Sequence, residues 1–200
     1  MANQYVNVGY DKFTDVTKIK MKKYCTIHIA PTMDMMLQSD KDAKAENLTL
    51  IIRCGYKEWF FLRNGDVVIN IDGKENVTLN PHELYTDVKD GRCVEVDAYF
   101  IDKELLVKMC KADNIDIKVS GSEFYVISSK YSEFDHPDIS SRIIKYCRRF
   151  YNAVYDENAY PESLVEEAKN TGCMVATLIG VASLAALSSG AYYLISRLLC

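Results

Sequence analysis

The chain has 200 residues, of which 48% are apolar and 26% charged, a globular composition that excludes a disordered or collagen-like polypeptide. Its 24 Lys+Arg and 28 Asp+Glu leave a net charge of −4, so its overall field does not favour nucleic acid. The charge is unevenly placed: every acidic residue precedes residue 171, and Arg197 is the one basic residue after it.

The start, MANQYVNVGYDKF, lacks a basic segment followed by an apolar core, so no cleavable signal peptide is expected. The next segment alternates Lys18, Lys20 and Lys22 with Ile19 and Met21 and runs on into TyrCysThrIleHisIle, which predicts a half-buried strand at about 18–30. From Pro31 to Asn47 the chain is Met-rich and then charged, and an exposed loop with at most one helical turn is expected. Short strands follow at Leu48 to Tyr56 and Glu58 to Arg63. Asn64-Gly65 predicts a type I′ hairpin turn pairing the second of these with Val67 to Asp72. Asp72-Gly73 predicts another turn, with Val77-Thr78-Leu79 returning, and Pro81 to Gly91 reads as a loop. Cys93 to Ile101 alternates as a strand.

Asp102 is placed as the N-cap of a short helix at 103–112, with Leu105, Leu106, Met109 and Cys110 on its apolar face. Ile115, Ile117 and Val119 share a face of the next strand, and Gly121 turns it into a partner at Phe124 to Ser128. Residues 138–155 form the strongest helix, with Pro137 suited to its first turn. Ile139, Ile143, Tyr146, Cys147, Phe150 and Val154 make its stripe. Arg142, Lys145 and Arg149, with Arg148 beside them, make a basic face that could meet anionic lipid. The Lys18–Lys23 cluster has the same potential.

Strands dominate and helices come late. The expected fold is α+β: an antiparallel β-rich domain at 1–156, rolled or sandwich-like, with one long packing helix. A pleckstrin-like barrel closed by a C-terminal helix has this order of elements. Residues 157–170 read as a polar linker or short helix. Residues 171–196 then run for twenty-six positions without a charge, and a transmembrane helix is expected over 171–197. About 20 helical residues suffice to cross a hydrocarbon core of about 30 Å. Gly172, Ala176 and Gly180, and separately Ala182, Ala186 and Gly190, recur at spacing four and would let two such helices pack closely.

Seven cysteines, an odd number without a CxxC pair, read as free thiols in a reducing compartment. No HExxH, GxxxxGK[ST], GxGxxG or GxSxG occurs, so no cofactor or metal is expected and the common enzyme classes lack support. Paired carboxylates such as Asp11 and Asp15, or Asp87 and Asp90, read as solvated loop residues. Fourteen tyrosines, among them Tyr10, Tyr85, Tyr99, Tyr125 and Tyr131, are read as carrying their hydroxyls at the surface. The run CGYKEWFFLRNGDVVINIDGKENVTL, with IKYCRRFYNAVYD later, resembles small uncharacterised bacterial proteins over about residues 10–156. That resemblance implies a bacterial source and no activity.

The leading expectation is a single-pass, tail-anchored membrane protein that presents a non-enzymatic interaction domain to the cytoplasm. Its partners would be membrane lipid and a protein partner or a second copy through the span, with no nucleic acid. Two alternatives stay open: a membrane-acting effector whose apolar helix is the active part, and an enzyme whose site no motif reveals.

Overall fold

A computed structural model describes residues 4–130 and 138–155, all within the first of the chain's two units, Met1–Tyr160. The apolar stretch 171–196, its two small-residue ridges and the linker 157–170 lie outside the described residues. Among the described residues no helix is long and apolar enough to cross a membrane.

The fold is antiparallel and β-rich, as the alternating segments require. Its larger sheet curls into a half-barrel. Along it run β1 (Val6–Asp11), β2 (Val16–Met21), β4 (Thr32–Lys41), β5 (Glu46–Tyr56), β9 (Arg92–Ile101) and β8 (Glu83–Lys89), in that spatial order. A short strand, β3 (Cys25–His28), also pairs with β4. Thus β2 and β3 occupy successive stretches of the same edge of β4, with residues 22–24 stepping out between them. This is the strand expected at 18–30, broken once. A smaller sheet has the order β11 (Tyr125–Ile127), β10 (Ile115–Ser120), β6 (Val67–Ile71) and β7 (Glu75–Leu79).

Period-two burial explains the concave face of the larger sheet. Met33, Met35 and Leu37 of β4 and Leu50 and Ile52 of β5 are fully buried there. In the smaller sheet Val67, Ile69, Ile117 and Val119 are equally buried. The helices α1 (Lys103–Lys111) and α2 (Ile139–Tyr155) complete one continuous core. Asp102 caps α1 as expected, its carboxylate accepting from the Leu105 N–H at 2.7 Å. The buried face of α1 is the expected one: Leu105, Leu106, Met109 and Cys110. Pro137 lies outside the described residues, and Asp138 Oδ1 accepts from the Ser141 N–H at 3.1 Å at the start of α2. Helix α2 touches β3, β4 and β10, and buries Ile143, Cys147 and Phe150 completely.

Three expectations are corrected. The loop expected over Pro31 to Asn47 is largely β4 and the start of β5, a ten-residue strand whose Met and Leu side chains fill the core. The loop expected over Pro81 to Gly91 is mostly β8, which joins β9 through the two-residue turn Asp90-Gly91. Both turn residues have positive φ, 52° and 72°, as a type I′ turn requires. The hairpin expected at Asn64-Gly65 does not form. Glu58 to Arg63 is not a strand, Leu62–Asn64 is a single 3-10 turn, and Gly65 is extended with φ −118°.

The cause lies far along the chain. Glu95 of β9 is buried, and its carboxylate accepts the backbone N–H groups of Phe60 at 2.5 Å, Phe61 at 3.0 Å and Leu62 at 2.9 Å. Three convergent donors fold the segment around the anion, with Phe61 in the left-handed region at φ 60°. Gly65 is needed there for close approach, since a Cβ would overlap the Ser120 carbonyl. The tyrosines divide as well: Tyr10, Tyr85 and Tyr125 are exposed, Tyr131 lies outside the described residues, and Tyr99 is wholly buried rather than at the surface.

Candidate functional site: a basic cleft

The break between β2 and β3 creates the most distinctive surface. At residues 22–24 the chain leaves the edge of β4 and is fastened elsewhere. The Lys22 N–H donates to the Tyr5 carbonyl at 2.9 Å, and the Lys23 carbonyl accepts from the Tyr146 hydroxyl of α2 at 2.8 Å. Between this step and α2 lies an open cleft of about 440 Å³.

One wall is the face of α2 that bears Arg142, Lys145, Tyr146 and Arg149. Their spacing of i, i+3, i+4 and i+7 stacks them along two turns. The other wall carries Lys22, Lys23 and Tyr24, with Tyr5 at the rim. The Arg149 guanidinium lies over the Tyr5 ring at 4.3 Å from its centroid, an arrangement that orients it by cation–π attraction. Met21 and Cys25, both buried, also line the cleft. Five cations thus converge from two distant parts of the chain, and among the described lining residues there is no carboxylate.

The cleft carries no activated thiol. Burial pushes the Cys25 thiol up to about 11, against the opposing pull of Arg142, so it stays protonated at neutral pH. Burial likewise raises the Tyr146 phenol, with Cys25 adding to the effect. Among the described residues no group of three His, Cys, Asp or Glu side chains could hold a metal ion. What the arrangement can do is attract an anion: two guanidinium forks and three ammonium groups stand around a partly desolvated floor.

The basic face read from the sequence divides here. Arg142, Lys145 and Arg149 line the cleft, whereas Arg148 does not. Its Nε donates to the Cys110 carbonyl at 2.7 Å, which ties α2 to α1. The Lys18–Lys23 cluster divides too. Lys18 and Lys20 sit on β2 opposite Asp40 and Gln38, while Lys22 and Lys23 reach the cleft. The i, i+3, i+7 spacing revealed the helical wall, but nothing local marks residues 22–24 as its partner. The carboxylates Asp11 and Asp15 serve their own turn, accepting from the Phe13 N–H and the Tyr10 hydroxyl.

A second depression, on the outer face of the larger sheet, gathers Arg53, Lys89 and Arg92. Asp34 and Asp90 line it as well and offset most of that charge. Comparison with protein families, curated proteins and solved structures returns no match to this chain.

Proposed function

We propose that the protein is a single-pass membrane protein, anchored through residues 171–196, that presents a non-enzymatic interaction domain to the cytoplasm. The observation that carries this reading is the partition of charge. Twenty-six consecutive residues lack any charge, directly after a stretch that holds all 28 acidic residues. Supporting it, the core of the described domain runs from Val6 to Tyr151 and is continuous on its own.

Orientation follows from the flanking cations. Lys145, Arg148, Arg149 and Lys169 precede the apolar stretch and hold that side in the cytoplasm, while nearby Glu162, Glu166 and Glu167 count for little. The described cysteines are free thiols, as a reducing compartment requires. The small-residue ridges Gly172, Ala176, Gly180 and Ala182, Ala186, Gly190 offer a second copy a close-packing surface within the bilayer.

The test is alkaline carbonate extraction of membranes from cells making the full chain. A membrane-impermeant maleimide is then applied to intact cells carrying single-cysteine variants. The chain should stay in the pellet, with Cys200 labelled and a Lys41→Cys site protected. Complete extraction would overturn the anchor, and labelling at residue 41 would reverse the orientation.

A further inference from the structure

We propose that the cleft between α2 and the β2–β3 break is a binding site for a multiply charged phosphate anion, held by Arg142, Lys145 and Arg149 on one wall and Lys22 and Lys23 on the other. The inference stands on the cleft alone and does not need the membrane anchor.

The first argument is electrostatic. On α1 a cation is set against acids, Lys108 meeting Glu75 at 2.8 Å and Glu104 at 3.3 Å, and on β2 Lys18 lies opposite Asp40. In the cleft like charges are stacked at i, i+3 and i+7 and faced by two more cations. Neighbouring like charges on a helix destabilise it. Lys22, Lys145 and Arg149 also have contacts within the chain, so a ligand would add to those contacts. Among the described lining residues there is no carboxylate, and a bound phosphate would add its charge to the contacts these side chains already make.

The second argument is shape and chemistry. A volume of about 440 Å³ falls within the range of small-molecule sites, about 300–1,000 Å³. A single phosphate displaces only a few water volumes of about 30 Å³ each, so the cleft has room for more than one. Guanidinium forks match phosphate oxygens in pairs, and ammonium groups add point charge. The stacking of Arg149 on Tyr5 holds one fork in position before the ligand arrives. The cleft is bounded on two sides and set in a chain of net negative charge, which disfavours a long polyanion such as nucleic acid. The phosphate can belong to a soluble metabolite or to a lipid headgroup, since both present the same oxygens.

The experiment separates these sources with the full chain in non-ionic detergent. Inorganic pyrophosphate and inositol hexakisphosphate are titrated by calorimetry into the wild type, Arg142→Gln/Arg149→Gln, Lys22→Gln/Lys23→Gln, and a distant control, Lys111→Gln. The wild type and the control should bind alike. Each cleft variant should lose at least about tenfold in affinity while keeping its near-UV circular dichroism. In a second arm, the proteins are floated with phosphatidylcholine vesicles with or without phosphatidylinositol bisphosphate. A gain on the bisphosphate vesicles that both cleft variants lose assigns a lipid headgroup. Cleft-dependent binding of the free anions without that gain assigns a soluble phosphate. Absence of binding to both free anions and bisphosphate vesicles, or equal binding by wild type and folded cleft variants, overturns the proposal. Tighter binding of a single-stranded oligonucleotide than of either phosphate probe overturns it in favour of nucleic acid. Failure of carbonate retention would remove the anchor and leave the free-anion result standing.

Discussion

Removing the Glu95 carboxylate should loosen the connection between the two sheets more than any other single polar change. Glu95 is 2% exposed, and it accepts three backbone N–H groups, those of Phe60, Phe61 and Leu62. Phe60 and Leu62 are themselves buried, so in Glu95→Ala two of the freed donors have no ready access to water. A hydrogen bond to a charged group contributes about 1.5–3 kcal/mol, and an unmet buried donor costs about 1–3 kcal/mol. Simple addition overstates the loss, because the segment can relax and water can enter the space the side chain leaves. The left-handed Phe61 is also released, returning about 1 kcal/mol. The expected loss is about 3–5 kcal/mol, a large share of the 5–15 kcal/mol typical of a domain. Glu95→Gln keeps the shape but sets an NH₂ group against a backbone donor, and should lose about 2–3 kcal/mol. Trp59, the single tryptophan, immediately precedes Phe60 and is a built-in reporter of this turn. Urea unfolding followed by Trp59 emission and by far-UV circular dichroism gives both stability and local opening. A loss under about 1 kcal/mol for Glu95→Ala, with unchanged Trp59 emission, would refute the claim that this carboxylate organises the turn.

Two further outcomes follow from particular contacts. Gly65→Ala should destabilise by about 1–3 kcal/mol in thermal unfolding, since the new methyl would meet the Ser120 carbonyl and so rigid backbone, whereas Lys111→Ala on exposed α1 surface should change stability by under about 0.5 kcal/mol. Burial raises the thiols of Cys25 to about 11 and of Cys54 and Cys110 to about 12, from an ordinary value of 9.0, so these thiols ionise in the unfolded chain first. Their stabilising contribution is complete below pH 9 and is lost as pH rises through the folded values, so stability should fall between pH 9 and 12. Alanine at all three sites should make that fall shallower, and an unchanged alkaline slope would show that Cys147 and the buried phenols of Tyr99 and Tyr146, raised by burial in the same direction, control it instead.

The legible parts of the chain were those where one face alone is buried. Val67–Ile71, Ile115–Ser120 and the stripe of α2 each repeat at the period of their element, because one side meets the core. The misread parts break that condition. In β4 Met36 is buried on the face opposite Met35 and Leu37, so burial on both sides hides the alternation. In β8, at the edge of its sheet, most side chains are exposed and no apolar period exists to be read. Asn64-Gly65 and Asp90-Gly91 carry the same kind of local turn signal, and only the second forms the hairpin. The difference is Glu95, which captures the residues just before Asn64 from a distant strand, so tertiary contact overrides local chemistry. The cleft was half legible for a similar reason: a helix displays its own spacing, but the opposing wall arises only when β2 and β3 dock on β4.

Helix α2 can carry its stacked cations because its two faces differ greatly in energetic weight. On the inner face Ile143, Cys147 and Phe150 are fully buried, and large apolar side chains contribute about 1.5–3 kcal/mol each on burial. On the outer face the like-charge pairs cost a few tenths of a kcal/mol each, about a tenth of what one buried ring contributes. The helix therefore stays docked whatever the charge of position 142. Arg142 is exposed, and its neutralisation removes repulsion without opening a cavity. It follows that Arg142→Gln should unfold at or slightly above the wild-type temperature, while Phe150→Ala should lose about 3–5 kcal/mol. A melting temperature for Arg142→Gln as low as that of Phe150→Ala would mean that this cation holds the fold together, and its place in the cleft would then need no ligand to explain it.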